Sequence, residues 1–206
     1  MPDSINVLES SNNPLDGRFI SVGSGAELQM QPSDQSARFS LRVAKSNLNE
    51  ASEAFGLDIP SKIGKMVSED QKMAICLGPD EWLLMAPLSE HDAIEARFAI
   101  LNAKTLHSLV DVGHRTVGIK ITGPAAAVTL NTGCPLNLEN LPIGGCARTV
   151  LDKAEIILIR LDSQRYLLEV IRSFADYVWM VLTAAGRELL PPTTAINKGS
   201  LPFQKP

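Results

Sequence analysis

The chain has 206 residues, a formal net charge of −4 and 45% hydrophobic residues, of which few are aromatic (5% of the chain). That length builds one large or two small domains with a core that needs no disulfide or metal staple. The mild acidity argues against partners bound through phosphate neutralisation, nucleic acid or anionic membrane alike, and the aromatic shortage removes platforms for base stacking.

The first 35 residues are rich in Ser, Asn, Gly, Asp and Pro and read as an N-terminal arm (1–35). They carry no basic segment followed by an apolar run, and no stretch approaches the ~18 apolar residues of a membrane span. Cys76, Cys134 and Cys146 are widely spaced and include no C-x-x-C pair, so the expectation is a cytoplasmic protein with reduced thiols. Ala37, Phe39, Leu41 and Val43 alternate with polar residues and predict a half-buried strand. Asn47 with Glu50 predicts a capped helix whose apolar face is Leu48, Ala51 and Phe55, ending at Gly56. A hairpin follows, Met73–Leu77 and Trp82–Ala86 around the turn Gly78-Pro-Asp-Glu81. Ser89-x-x-Asp92 then predicts a helix with Ile94, Phe98 and Leu101 on one side.

The order β-α-β-β-α then recurs. Leu109–Val112 and Val117–Ile121 predict strands, Gly123-Pro124 opens an Ala-rich helix ending at Gly133, and Ala154–Leu161 and Tyr166–Ile171 form a second hairpin. Ser173-x-x-Asp176 opens the last helix, with Phe174, Tyr177, Val178, Val181, Leu182 and Ala185 at helical spacing. From Pro191 onward the chain has four prolines and no apolar period, which predicts a C-terminal tail over 189–206. Glu81-Trp-Leu-Leu-Met-Ala86 with Ser89 and Asp92 lies over Arg165-Tyr-Leu-Leu-Glu-Val170 with Ser173 and Asp176, an offset of 84 positions (165 − 81). The predicted fold class is therefore α+β, two pseudo-repeated ferredoxin-like β-α-β-β-α halves, 36–107 and 108–188, packed as one body over 36–188.

Chemistry-bearing motifs are sparse. Gly23-Ser-Gly25 follows an apolar run but has Leu28 where a third Gly of a dinucleotide cradle belongs, and Pro32 stops any helix. Gly144-Gly145 lacks the lysine of a phosphate loop, no G-x-S-x-G occurs, and no His/Cys/Asp/Glu set has metal-ligand spacing. The densest polar cluster is Asp111-Val-Gly-His114-Arg115, which brings a carboxylate, an imidazole and a guanidinium to a strand end. Its simplest reading is a loop in which Asp111 pairs with Arg115 or nearby backbone while His114 faces solvent; His91 and His107 read as surface residues.

Six segments in this order carry a resemblance to a known family: Gly78-Pro-Asp-Glu-Trp-Leu-Leu84, Asp111-Val-Gly-His-Arg-Thr116, Ile121-Thr-Gly-Pro-Ala125, Gly133-Cys-Pro-Leu-Asn-Leu138, Arg148-Thr-Val-Leu-Asp-Lys-Ala154 and Arg172-Ser-Phe-Ala-Asp-Tyr-Val-Trp179. Together they resemble the gamma subunits of heterotetrameric sarcosine oxidases across residues 36–188. The resemblance implies a complex of four unlike subunits, alpha, beta, gamma and delta, that demethylates sarcosine to glycine with hydrogen peroxide and formaldehyde or 5,10-methylenetetrahydrofolate. It implies FAD, covalent FMN, NAD and tetrahydrofolate in partner subunits and no cofactor in this chain. It also implies a small version of the folate-binding aminomethyltransferase fold. The chain departs from such enzymes in lacking room for their further β-rich domain, and it reads Gly144-Gly-Cys-Ala-Arg-Thr-Val150 where a related family has K-G-C-Y-x-G-Q-E. No catalytic, cofactor or metal residue carries over, and Asp111, His114, Arg115, Arg148, Arg172 and Ser173 stand as interface or structural candidates. The alternative is a stand-alone folate-binding or one-carbon-transfer protein in which Asp111 contacts the pteridine.

Overall fold

The computed structural model describes residues 13–23 and 27–189. Eleven strands and four helices follow one another as β1 (Ile20–Val22), β2 (Leu28–Pro32), β3 (Ser36–Val43), α1 (Leu48–Phe55), β4 (Met66–Glu69), β5 (Lys72–Cys76), β6 (Glu81–Pro87), α2 (His91–Leu101), β7 (His107–Asp111), β8 (Thr116–Thr122), α3 (Ala126–Asn131), β9 (Cys146–Leu151), β10 (Ala154–Arg160), β11 (Arg165–Ile171) and α4 (Ala175–Leu189). They form two antiparallel sheets, β4-β5-β6-β3-β7 and β1-β2-β8-β11-β10-β9.

Burial periodicity stacks these sheets. Ala37, Phe39, Leu41 and Val43 turn one face of β3 toward α1 and α2, and with Trp82, Leu84 and Phe98 they build the first core. Ile119, Ile121, Leu168 and Val170 face α3 and α4 and build the second, around Val178 and Leu182. A third cluster joins the sheets back to back: Ile75, Leu83 and Met85 from one meet Cys146, Ile159 and Leu167 from the other. β6 and β11 are therefore buried on both faces, which explains why Trp82-Leu-Leu-Met-Ala86 is apolar without alternation. The edges also touch, since Cys146 N–H donates to the Gly64 carbonyl at 3.0 Å and Met66 N–H to the Gly144 carbonyl at 2.9 Å.

The two sheets share strand order and hydrogen-bond phase. β4-β5-β6-β3 and β9-β10-β11-β8 have the same connectivity, and β7 and β2 occupy the same place beside β3 and β8. Val112 N–H donates to the Arg38 carbonyl at 2.8 Å, and Ser33 N–H to the Gly118 carbonyl at 2.8 Å, so Arg38 and Gly118 hold equivalent places.

Several expectations are corrected. Two further strands, β4 and β9, escape the apolar pattern, because β4 is mostly exposed and β9 buries only its end residues Cys146 and Leu151. Within the expected 1–35 arm, β1 and β2 join the second sheet, because Leu28 and Met30 alternate with glutamines and are 0% exposed. β7, assigned by the sequence to the second half from residue 108, pairs with β3 in the first sheet. The Ser-x-x-Asp motifs, read as capping boxes that open α2 and α4, do not act as caps: Ser89 and Ser173 stand in 3-10 turns preceding these helices, and Ser173 is exposed. Asn47 does precede α1, but its side chain accepts from the Ser46 hydroxyl rather than from the helix. Gly56 ends that helix as expected, in the left-handed region (φ 78°) with its N–H on the Ser52 carbonyl at 2.7 Å. Residues 24–26 of the Gly23-Ser-Gly25 loop and nearly all of the expected 189–206 tail lie outside the described residues.

Candidate functional site: an ion-paired cleft between the sheets

At one end of the stack, a cleft of about 70 Å³ lies between β3, the segment before it, the start of α2 and the β7–β8 turn. Arg38 in its lining belongs to a buried ion pair that joins the sheets. Arg38 Nε donates to Glu169 Oε2 at 2.8 Å and Nη2 to Oε1 at 3.0 Å, with the two side chains 6% and 0% exposed. Two further bonds hold the guanidinium, from Nη1 to the Ser36 carbonyl and from Nη2 to the Ser33 hydroxyl, each 3.1 Å. Gly118, opposite Glu169 in the β8–β11 register, makes the room: a Cβ there would stand 2.2 Å from Ser33 Oγ and 2.6 Å from Glu169 Oε1. Burial pushes the Glu169 carboxyl up, while the charge and hydrogen bonds of Arg38 pull it down.

The cleft wall carries a second pairing. His91 Nε2 lies 3.2 Å from Asp111 Oδ2 and Nδ1 lies 2.9 Å from Asp92 Oδ1, and the ring stacks on Phe39 at 5.1 Å. Burial pulls the imidazole pKa down, but bonds to Asp92 and Asp111 and the charges of Asp111 and Glu95 outweigh it and raise it above the ordinary value. Asp111 Oδ1 also accepts from Gly113 N–H at 2.7 Å, which closes the turn after β7. His91 is thus a half-buried strut between α2 and β7, not the surface residue expected. With Asp92 and Glu95 it forms the one three-residue donor group among the described residues, within 4.8 Å, but both ring nitrogens already face carboxylates.

The six sequence candidates separate. Asp111, His114 and Arg172 border the cleft, His114 as an exposed side chain; of the partners expected for Asp111, Arg115 or nearby backbone, it takes the backbone, at Gly113 N–H, and adds His91. Arg115, exposed, and Ser173 share a shallow hollow with Arg172, whose N–H bonds the Arg115 carbonyl at 2.8 Å. Arg148 lies apart, where its Nη2 donates to Glu81 Oε1 at 2.5 Å while Arg42 holds Oε2 at 3.0 Å. Hydrogen bonding from Arg148 holds the Glu81 carboxyl below its ordinary value despite partial burial. All three cysteines are buried and free; burial pushes Cys146 up to about 12, so it stays a thiol and not a nucleophile at neutral pH.

The sequence reading missed Arg38 and Glu169. The available signal was Glu169 itself, a carboxylate inside the apolar run Leu167-Leu-Glu-Val-Ile171, which can be buried on both faces only with a cationic partner.

Sheets stacked back to back, helices outside and an ion pair at the polar end define a two-sheet α+β scaffold. Aminomethyltransferase T of the glycine cleavage system from Bartonella henselae superposes with a TM-score of 0.59 over 78% of this chain and 49% of that one, at 15% identity. Heterotetrameric sarcosine oxidase from Corynebacterium sp. U-96 superposes with a TM-score of 0.74 over 84% of this chain and 91% of that one, at 20% identity. The profile of the sarcosine oxidase, gamma subunit family matches residues 44–188, and the chain belongs to that family. Sarcosine oxidase subunit gamma of Corynebacterium sp. (strain P-1) is 26% identical over 134 residues, 63% of this chain and 65% of the relative. That of Arthrobacter sp is 25% identical over 145 residues, 69% and 70%. The chain thus spans about two thirds of the length of these relatives.

Proposed function

We propose that this chain is the accessory gamma subunit of a heterotetrameric sarcosine oxidase, in which alpha, beta and delta partners hold FAD, FMN, NAD and tetrahydrofolate. The complex demethylates sarcosine to glycine and hydrogen peroxide, with formaldehyde or 5,10-methylenetetrahydrofolate as the one-carbon product. The family match over 44–188 carries this reading. Its setting is the cytoplasm, in keeping with three free thiols. The shared strand order supports an origin of both sheets from one ferredoxin-like unit, with β2 taking in the second the place of β7 in the first. Asp111, His114, Arg115, Arg148, Arg172 and Ser173 then act through structure or subunit contacts. Stand-alone folate binding gains no support, because Asp111 is engaged by His91 and Gly113 and a cleft of about 70 Å³ is far below the ~300 Å³ of small ligand sites.

The test is co-expression with the other three subunits. Co-purification, and loss of sarcosine-dependent peroxide formation when this chain is omitted, are expected. Full activity without it, or tight tetrahydrofolate binding by the chain alone, overturns the reading.

A further inference from the structure

β7 is the edge of the first sheet, and the second sheet supplies a template for what belongs beside it. Leu109 opposite Leu41 corresponds to Met30 opposite Ile121, and Val112 on the Arg38 carbonyl to Ser33 on the Gly118 carbonyl. Antiparallel alternation then turns the backbone groups of His107, Leu109 and Asp111 outward, as it turns those of Leu28 and Met30. In the second sheet β1 covers that edge, pairing Ile20 with Met30 and Val22 with Leu28. Ile20 and Val22 pack against the core beneath α4, and Leu28 and Met30 are 0% exposed. Arg18, just before β1, reaches Asp176 at the start of α4 at 2.5 Å.

Among the described residues, nothing takes β1's place beside β7. Leu109 is half-exposed, and Val110 and Leu106 are 51% and 88% exposed. A groove of about 320 Å³ separates β7 from α2, with Phe98, Ala99 and Leu109 in its walls. The outward side of α2 exposes Ala96, Ala99 and Ile100 alongside the acidic Asp92 and Glu95, an apolar strip edged by negative charge. Asp92, the counterpart of Asp176 in the 84-residue alignment, is 91% exposed.

We propose that this groove takes an extended strand of a partner subunit, antiparallel to β7 and patterned basic-x-apolar-x-apolar as in Arg18-Phe-Ile-Ser-Val22. The basic residue meets Asp92, one apolar side chain lies beside Leu109 and the second beside His107. The inference rests on the subunit reading above and names the surface it uses.

Amide exchange of β7 in the free chain and in the co-expressed complex tests it, together with the double variant Asp92→Lys/Ala99→Arg and the control Met180→Lys on the exposed side of α4. Expected are fast exchange at Leu109 and Asp111 in the free chain, strong protection in the complex, and at least tenfold weaker co-purification of the double variant but not of the control. Protection already present in the dilute free chain means that its own residues fill the groove, and protection that grows with concentration and a doubled mass means a second copy; either overturns the proposal. A complex that forms normally while these amides still exchange overturns it and leaves the subunit reading intact. A wild-type chain that joins no complex overturns both.

Discussion

Replacing Glu169 by Gln keeps the shape of the side chain and removes its charge, leaving Arg38 as a cation whose side chain is 6% exposed. Breaking one partner of a buried ion pair costs about 3–5 kcal/mol. Coulomb attraction gives the same scale, about 4 kcal/mol for unit charges 4 Å apart at an effective dielectric constant of 20. Against a total stability of about 5–15 kcal/mol, such a loss is large. Arg38→Met should cost as much, with a distinct pH signature. Without Arg38 only burial acts on the Glu169 carboxyl, whose folded pKa then stands well above its unfolded value. A raised folded pKa gives stability that is full below the unfolded value and lost as pH rises through the folded one, so this variant is weakest at neutral and alkaline pH. The double variant Arg38→Met/Glu169→Met removes both charges and should recover most of the loss. Urea unfolding followed by tryptophan fluorescence reads all of this, because Trp82 and Trp179 lie in the helix-side cores of different sheets. A Glu169→Gln chain within about 1 kcal/mol of wild type, or a double variant as unstable as the sum of the singles, refutes the argument.

Gly118→Ala puts a methyl group 2.6 Å from Glu169 Oε1 and should cost about 1–3 kcal/mol by the same urea assay. Asp111→Asn should lower the His91 pKa, read by NMR titration, because Asp111 is among the groups that raise it. The stability His91 supplies in the wild type is full below its ordinary value of 6.5 and is lost as pH rises through the higher folded value; this dependence should shrink in Asp111→Asn. Ser173→Ala should change stability by no more than about 0.5 kcal/mol, because the exposed hydroxyl caps nothing; a loss near 1 kcal/mol would restore the capping role that the sequence suggests.

The helices and both hairpins were legible because each rests on local apolar periodicity. β4 and β9 were not, because β4 is mostly exposed and β9 buries only its two end residues, so neither shows that period. β7 was misassigned for a different reason. Sequence adjacency to β8 suggested a common sheet, whereas pairing with β3 is long-range and leaves no local trace. In the cleft, Asp111 was found because it sits in a dense polar turn, but its partner His91 is 20 residues earlier, on another element. Arg38 and Glu169 are 131 residues apart, and nothing in the local pattern around Arg38, which shares its strand with Arg42, marks it as the partner of Glu169.

That compensation bears on how two similar sheets settle on one arrangement. Register makes Arg38 the counterpart of Gly118, and Met85, paired with Arg38, the counterpart of Glu169, paired with Gly118. Identical halves would place like groups at both positions: two arginines would leave cations without an anion, and two glycines would leave a gap. The observed difference gives one sheet the long cation and the other the anion together with the space. Hydrophobic contact across Ile75, Leu83, Ile159 and Leu167 is non-directional and tolerates sliding. A bidentate, desolvated guanidinium–carboxylate pair does not, because a shift of an ångström strands both charges. The apolar cluster thus drives the sheets together, and Arg38, Glu169 and Gly118 fix their register and fill the polar end with protein.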